Sequence, residues 1–266
     1  MGQGAQIEVI DAILYGTKRF FEGVQDLAVF SVRMLAAVFR RPHYWRDIYE
    51  QTYFAGVGSL PVVLVSSFFA GQALALQFAR QLRETGSESV LGTMMAIAVV
   101  RALGPDLTGM VVAARLASGY TAEIGSMKST DQIDALTAFG TDPVSKLAAP
   151  RLIGIVIMLP LLTFIANTVQ FLGGALMARF VAHVSLSLYW TQIREEMVFG
   201  TVLIGTVKPL TFAFIMAFVA CWKGFASSGG TRGVGQATTE SVVIASVLIL
   251  IFDFILTRVI FALLHW

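Results

Sequence analysis

The sequence predicts an all-α membrane protein with five transmembrane helices preceded by an amphipathic interfacial helix, forming one domain over residues 1–266. Of the 266 residues, 56 % are hydrophobic and only 14 % are charged, whereas soluble domains carry about 25 % charged residues. Residues 51–79 and 152–178 contain no Asp, Glu, Lys or Arg, and about 20 apolar residues suffice to cross the hydrocarbon core. These runs are continuously apolar, unlike the alternating strands of a membrane β-barrel.

The composition also excludes several classes of function. A hydrophobic, weakly charged chain is neither a soluble enzyme nor a disordered protein. A formal net charge of +2 is too small to indicate a nucleic-acid partner. His43, His183 and His265 lie far apart, with no Cys or carboxylate at ligand spacing, so no metal site is expected.

Residues 1–45 have the pattern of an amphipathic helix. Charged residues separate apolar residues that recur at helical spacing, namely Ile7, Ile10, Leu14, Phe21, Val24, Leu27, Met34, Leu35 and Val38. The segment lacks the features of a cleaved signal peptide, so we expect it to remain and to lie in the membrane interface. Pro42 is expected to end this helix, and Tyr44, Trp45 and Tyr53 are expected to anchor the chain at the interface.

The transmembrane region is predicted over residues 51–264. The two charge-free runs form the first and third spans. Three further apolar segments contain isolated charges and complete the set: 90–114 with Arg101 and Asp106, 200–222 with Lys208, and 241–264 with Asp253 and Arg258.

The distribution of Lys and Arg predicts the orientation. One side of the membrane receives most of them: Lys18, Arg19, Arg33, Arg40, Arg41, Arg46, Arg115, Lys128, Lys146, Arg151, Lys223 and Arg232. The other side receives Arg80, Arg83, Arg179, Arg194 and Arg258. The positive-inside rule therefore predicts a cytoplasmic amino terminus and an outer carboxyl terminus.

The longest predicted cytoplasmic loop, residues 119–143, has the signals of a short surface helix. Thr130 is expected to cap its start, Gly140 fits its end, and Pro143 prevents continuation. Such a helix either covers the cytoplasmic mouth of the bundle or docks into a soluble partner. The pattern alone favours neither alternative.

Several motifs in and around this loop resemble one family. They are VRALGP at 100–105, AAR at 113–115, TAEIGSMK at 121–128, DQIDAL at 131–136, DP at 142–143 and APR at 149–151. Residues 229–243 and 253–257 extend the match. Together they resemble the permease subunit of Mla/Mce-type ABC lipid transporters.

The resemblance implies a non-catalytic permease of the bacterial inner membrane. It would pair with an identical or paralogous permease subunit, bind two cytoplasmic ATPase subunits, and work with an Mce-domain protein outside to move phospholipid or a related lipid. The chain has no Gly-x-x-x-x-Gly-Lys-[Ser/Thr] motif, so ATP and Mg²⁺ are expected in the partner ATPase and no cofactor on this chain. The Gly229–Gly235 cluster lacks that lysine and is expected to be a turn between spans.

In such transporters a coupling helix between the second and third spans seats in the ATPase. The matching positions here are Glu123, Met127, Asp131, Gln132, Ile133, Asp134 and Leu136. The family's apolar lipid pocket maps onto Leu74 and Leu103, with Gln77 close by, and ordinary helix packing is an equal alternative for each. Where the family often has a glutamate after the intramembrane arginine, this chain has Ala102, and Asp106 is a candidate substitute.

The charges inside the spans need partners, because each costs about 2.5 to 3.5 kcal/mol at a helix centre. At about 1.5 Å per residue, Lys208 lies roughly 12 Å below the outer end of the fourth span and Asp253 about 18 Å up the fifth. These depths nearly coincide in a core about 30 Å thick. We hypothesise a Lys208–Asp253 pair, with Arg101 available to Asp106 or to a lipid phosphate, and with Arg101 and Lys208 facing the lipid cavity.

Two other classes of function are weaker alternatives. An intramembrane enzyme would need convergent nucleophiles, acids or metal ligands, and the sequence has no such pattern. An ATP-independent channel or scaffold would explain the spans without explaining the loop motif, and independence from ATP would favour it.

Overall fold

A computed structural model describes residues 2–42, 44–84 and 86–263, and before Phe21 it describes only the backbone and the Lys18 side chain. His43, His265, Leu264 and the side chains of Ile7, Ile10 and Leu14 lie outside the described residues. The described part contains ten α-helices and no β-strand. The helices are α1 (Gly2–Val38), α2 (Trp45–Gly56), α3 (Leu60–Glu84), α4 (Leu91–Ala98), α5 (Gly104–Ser129), α6 (Gln132–Ala138), α7 (Ala149–Phe180), α8 (Leu186–Glu196), α9 (Phe199–Ala226) and α10 (Gly230–Leu263).

Five helical segments of the described chain are long and apolar enough to cross a membrane, which confirms the predicted fold class. They are Trp45–Glu84, Glu88–Ser129, Val144–Phe180, Phe199–Ala226 and Gly230–Leu263. The first combines α2 with α3, and the second combines α4 with α5. Each extends beyond its predicted apolar run, because polar residues at the ends continue the same helices.

The amino-terminal helix α1 ends at Val38, so the expectation that Pro42 ends it is wrong by one helical turn. Its last turns pack on the bundle: Met34 is fully buried, and the Phe30 ring lies 5.6 Å from the Phe225 ring of α9. Phe21 and Phe39 are exposed. Its location in the membrane interface stays a prediction.

The spans pack closely where glycines face a neighbouring backbone. A Cβ on Gly71 of α3 would lie 2.1 Å from the carbonyl oxygen of Gln170 on α7, and one on Gly173 would lie 2.3 Å from the carbonyl oxygen of Phe68. Small residues allow such contacts, which favour helix association in a membrane. They hold α3 against α7.

Two hydrophobic clusters fill the bundle. One joins α5, α7 and α9 through Leu116, Ile155 and Phe212. The other joins α4 and α8 through Met95 and Tyr189. Large apolar side chains such as Phe69, Phe164 and Phe254 are exposed on the spans, which suits contact with lipid tails.

The bundle has two distinct ends. At the end that carries α6, here called the α6 end, Lys128 Nζ donates to the Phe225 carbonyl at 2.5 Å. At the opposite end, here called the α8 end, Arg83 Nη2 donates to the Val181 carbonyl at 2.9 Å.

The sequence did not predict α8. Ser185 Oγ caps it by accepting from the Leu188 N–H at 3.4 Å. The buried Tyr189 hydroxyl donates to the Phe171 carbonyl at 3.2 Å. Burial raises the pKa of Tyr189, so this phenol remains a donor and fastens α8 to α7.

Candidate functional site

The loop helix α6 follows α5 directly. Asp131 precedes it with a left-handed φ of 58°. The expected Thr130 cap is wrong, because Thr130 Oγ1 donates instead to the Ser126 carbonyl at 2.9 Å and so closes α5. Gly140 does end the helix region, with a φ of 74°, and the Thr141 N–H donates to the Leu136 carbonyl at 3.0 Å.

The two faces of α6 differ in character. Ile133 is 9 % exposed, and Leu136 packs against the same hydrophobic cluster. These two residues were predicted to contact an ATPase, but they face this chain's own bundle. Of the other residues predicted to contact an ATPase in this segment, Asp131, Gln132 and Asp134 are exposed.

Phe139 is a surface residue that sequence reasoning missed. It follows the last residue of α6 and is 86 % exposed. A large apolar residue directly before a helix-ending glycine was the available signal. The outward surface of α6 therefore combines two carboxylates, an amide and an aromatic ring.

Near the α6 end of the bundle, an ion pair joins α5 to α7. Glu123 Oε2 lies 2.7 Å from Arg151 Nη2, and the two side chains are 50 % and 3 % exposed. The Arg151 guanidinium also lies 5.4 Å from the centre of the Tyr120 ring and donates to the Leu147 carbonyl. Met127 packs partly buried on the adjacent core. The end of α5 that precedes α6 is thus held against the start of α7.

A second polar site lies within the spans, where a wide π-helical turn, Val99–Leu103, interrupts the helix before Pro105. Pro105 has no N–H, so it cannot bond the Arg101 carbonyl four residues earlier. Lys208 Nζ of α9 donates to that carbonyl at 2.7 Å. The turn and the proline thereby expose a backbone acceptor to a membrane-embedded lysine.

The same lysine meets the carboxylate hypothesised from helix depth. Lys208 Nζ lies 2.6 Å from Asp253 Oδ1 of α10, and the side chains are 1 % and 21 % exposed. The structure brings this pair together. It buries Lys208 in the bundle, whereas the sequence expectation had it facing a lipid cavity.

Arg101 and Asp106 separate from each other. Arg101 Nη2 donates to Thr201 Oγ1 at 3.0 Å and lies 4.0 Å from Glu196 Oε2. Asp106 is half-buried, and its Oδ1 atom has no hydrogen-bond partner among the described residues. The hypothesis that Arg101 takes Asp106 as its partner is therefore replaced by two separate polar groups.

The other residues predicted to line a lipid cavity lie on α3 and in the wide turn, Val99–Leu103. Leu74 is partly buried, Gln77 is exposed, and Leu103 is of intermediate exposure. A separate open crevice of about 140 Å³ lies between α7 and α9. It is lined by Val100, Pro160, Phe164, Asn167, Phe171 and Thr206, among others. The five predicted residues, Leu74, Gln77, Arg101, Leu103 and Lys208, do not line this crevice.

The sequence is similar to one protein family and to several individual proteins. A family model described as "Permease MlaE" matches residues 48–259. A "Probable ABC transporter permease protein" of Rickettsia typhi is 36 % identical over 245 residues, which is 92 % of this chain and 95 % of the relative. One of Synechocystis is 32 % identical over 216 residues, covering 81 % of this chain and 82 % of the relative. The Arabidopsis thaliana protein "TRIGALACTOSYLDIACYLGLYCEROL 1, chloroplastic" is 31 % identical over 236 residues, covering 89 % of this chain and 67 % of the relative.

Proposed function

Because the chain belongs to the MlaE family of ABC transporter permeases, we propose that it is the permease subunit of an ATP-driven lipid transporter. It pairs with a second permease subunit, and two cytoplasmic ATPase subunits drive it. The cargo is phospholipid or a related lipid, exchanged with an Mce-domain protein on the outer side. The name of the Arabidopsis relative, which contains a diacylglycerol lipid, supports a lipid cargo.

The observation that carries the proposal is the outward surface of α6. It offers Phe139, with 86 % of its area exposed, beside the exposed Asp131, Gln132 and Asp134. An aromatic residue surrounded by polar groups is typical of a binding hot spot. We propose that this surface seats in the ATPase, which supplies the ATP and Mg²⁺ chemistry, and that the permease itself is not a catalyst.

The contacts beneath α6 provide a route for force. Ile133 and Leu136 join α6 to the core, and the Glu123–Arg151 pair joins α5 to α7. Movement of an ATPase against α6 would therefore displace both helices together, because packed interiors transmit strain. We propose that closure of the ATPase dimer changes the width of the space between two permeases by this route.

We propose that the lipid passes along the face of α3 that carries Leu74 and Gln77, and along the wide turn, Val99–Leu103. Leu74 and Leu103 supply apolar surface, and Gln77 supplies a polar group. Arg101, with a side chain 16 % exposed, supplies a cation for a lipid phosphate. Lys208 acts on this path indirectly, by holding the Arg101 carbonyl. A mostly apolar lining with a few polar groups suits an amphiphilic ligand.

The orientation proposed for this multi-pass protein follows from charge. The α6 end carries Lys128, Lys146 and Lys223, together with most other cations of the chain. We place this end in the cytoplasm of a bacterium and the α8 end outside the inner membrane.

Native mass spectrometry of the tagged protein, extracted gently with its neighbours, tests the proposal. Two permeases with two ATPase chains and retained phospholipid support it. A lone oligomer without an ATPase contradicts it and favours an ATP-independent channel or scaffold.

Phe139→Ala sharpens this test. We expect ATPase binding to weaken at least about tenfold, because an exposed aromatic residue would be buried at the interface. The free energy of unfolding should change by less than about 0.5 kcal/mol, since the ring has few contacts in this chain. Phe180→Ala is the matched control, because Phe180 is 71 % exposed at the α8 end. Unchanged ATPase binding in Phe139→Ala would argue against this docking surface.

A further inference from the structure

An open groove of about 470 Å³ lies at the α6 end of the bundle, between the last turns of α1 and the segment that joins α6 to α7. Its volume falls within the range of ligand sites in proteins, about 300 to 1,000 Å³. We call it the α1 groove. It is lined by Val32, Arg33, Ala36 and Arg40 on one side and by Asp142 and Val144 on the other.

Two arginines line the same wall of the α1 groove. Arg33 and Arg40 are seven residues apart, which is about two helical turns. Although α1 ends at Val38, the Arg40 N–H donates to the Ala37 carbonyl at 3.2 Å and continues the turn. Both side chains are exposed, and neither forms a hydrogen bond or an ion pair with a described residue. Both guanidinium groups therefore have free donors.

The opposite wall carries one carboxylate, Asp142. Its Oδ2 accepts from Ser145 Oγ at 2.6 Å, and its Oδ1 accepts from the Val144 N–H at 3.3 Å, so its position is fixed. The neighbouring cation Lys146 is paired with Asp47. The lining of the groove thus has two positive charges and one negative charge, which leave one net positive charge.

This charge pattern fits a singly charged phosphate. Guanidinium groups donate paired, charge-assisted hydrogen bonds to phosphate oxygens. A phosphodiester carries one negative charge, whereas a phosphate monoester carries about 1.5 to 2 at pH 7. The carboxylate on the opposite wall repels the additional charge of a monoester. Phosphodiesters of this kind are present in the headgroups of membrane glycerophospholipids.

The surroundings of the groove favour a lipid over a soluble phosphate compound. Val32 lines the groove and is exposed, and Phe39 and Trp45 are exposed beside it. Tryptophan is typical of the membrane interface, and amphipathic helices lie there with apolar side chains in the acyl region. Long cationic side chains at this depth reach the headgroup level. The two arginines would therefore lie at the level of lipid phosphates.

We propose that the α1 groove binds the phosphodiester group of a membrane glycerophospholipid through Arg33 and Arg40. Asp142 limits the site to a singly charged phosphate, and Val32 and Phe39 contact the acyl chains. The bound lipid is a structural component of the protein and not its cargo. The site needs α1 to lie in the membrane interface, but it does not depend on an ATPase or on transport.

A lipid titration followed by native mass spectrometry of the full chain, released from detergent micelles, tests the proposal. The probe is dioleoylphosphatidylglycerol, which has one phosphodiester group. We expect Arg33→Gln/Arg40→Gln to lose one tightly bound lipid per chain and to bind the probe at least about tenfold more weakly, because two charge-assisted contacts disappear. Unchanged binding of the probe overturns the proposal.

Two further compounds identify the group that is bound. Dioleoylglycerol has the same acyl chains without the phosphate, and it should bind equally weakly to the wild type and to the double variant. Inorganic phosphate should not displace the probe, because it has no acyl chains. Displacement by inorganic phosphate overturns the assignment to a lipid.

Asp142→Asn tests the selectivity for a singly charged phosphate. It should strengthen the binding of dioleoylphosphatidic acid, a phosphate monoester, several-fold, because a repelling charge is removed. The binding of dioleoylphosphatidylglycerol should change less. If the affinity for dioleoylphosphatidic acid stays the same, the role given to Asp142 is wrong.

Arg80→Gln/Arg179→Gln is the matched control, because both arginines are exposed and lie at the α8 end. It removes the same charge and should leave the binding of the probe unchanged. An equal loss in this control overturns the proposal, since it shows a general attraction of anionic lipid to surface cations. Circular dichroism and size-exclusion chromatography confirm folding. If the double variant of the groove does not fold, Arg33→Gln and Arg40→Gln alone should each show a smaller loss of binding.

The same spectra separate this site from the proposed function. Binding of ATPase chains at α6 should be equal in the wild type and in Arg33→Gln/Arg40→Gln. If ATPase binding persists while the lipid at the groove is lost, the groove is a separate lipid site. If ATPase binding is absent and the lipid is retained in the wild type alone, the groove stands and the proposed function fails.

Discussion

Two cations, Arg151 and Lys208, are buried in the part of the chain that the structure describes, and their surroundings differ. Arg151, 3 % exposed at the α6 end, pairs with Glu123, which is 50 % exposed. Lys208, 1 % exposed within the spans, pairs with Asp253, which is 21 % exposed. Water can rehydrate the α6-end carboxylate if the pair opens, whereas no water is available to the pair inside the membrane. We therefore expect Lys208 to depend more strongly on its carboxylate than Arg151 does.

Removing the carboxylate of Asp253 should have the largest effect. In Asp253→Asn, Lys208 keeps the Arg101 carbonyl and has an amide in place of its carboxylate partner. We expect the free energy of unfolding in detergent micelles to fall by about 3 to 5 kcal/mol, because a buried charge remains without its counterion.

The control for this prediction is Asp26→Asn, on the exposed side of α1. It should change the free energy of unfolding by less than about 0.5 kcal/mol. If Asp253→Asn loses no more stability than this control, the Lys208–Asp253 pair does not stabilise the fold and the contrast between the two cations fails.

At the α6 end, Glu123→Gln should have an intermediate effect. It leaves Arg151 buried without a carboxylate, but the Tyr120 ring and the Leu147 carbonyl remain in contact. We expect a loss of about 2 kcal/mol in the same unfolding measurement, less than for a fully uncompensated charge. Glu195→Gln, an exposed change on α8, is the control. A loss as large as that of Asp253→Asn would show that solvent access does not distinguish the two sites.

The Lys208 site also shows which features the sequence could predict. The five spans follow from hydropathy, and the Lys208–Asp253 depth match follows from a fixed rise per residue. Hydropathy and the rise per residue both give only a position along the helix axis, which is the depth in the membrane. The direction in which Asp106 points depends on rotation about that axis, which the wide turn at Val99–Leu103 alters. Hydropathy and spacing contain no signal for such a turn.

The same limit applies at α6. Its existence and its Gly140 end were predicted from local signals, and the structure agrees. Its rotation was not predictable, because Ile133 and Leu136 fit a partner's groove and this chain's own core equally well. Packing against α5 and neighbouring helices turns both residues inward and leaves Phe139 outside. The family motif identified the segment, and only tertiary structure assigned its faces.

Arg101, a third cation, sharpens the comparison, because it lies near the α8 end with neutral and charged partners. Thr201 is fully buried, and its Oγ1 accepts from Arg101 Nη2. Thr201→Val keeps the shape and removes this acceptor, while Glu196 remains 4.0 Å away. We expect the smallest loss in the unfolding measurement, about 1 kcal/mol.

Thr211→Val is the matched control for this substitution. Thr211 lies on the same helix, and its hydroxyl donates only to the Val207 carbonyl of α9, at 3.1 Å, so its loss should cost less than about 0.5 kcal/mol. If Thr201→Val and Thr211→Val prove equal, the Arg101–Thr201 bond adds nothing to stability. The contribution of Arg101 to stability would then come from its other interactions, among them the charge of Glu196 at 4.0 Å.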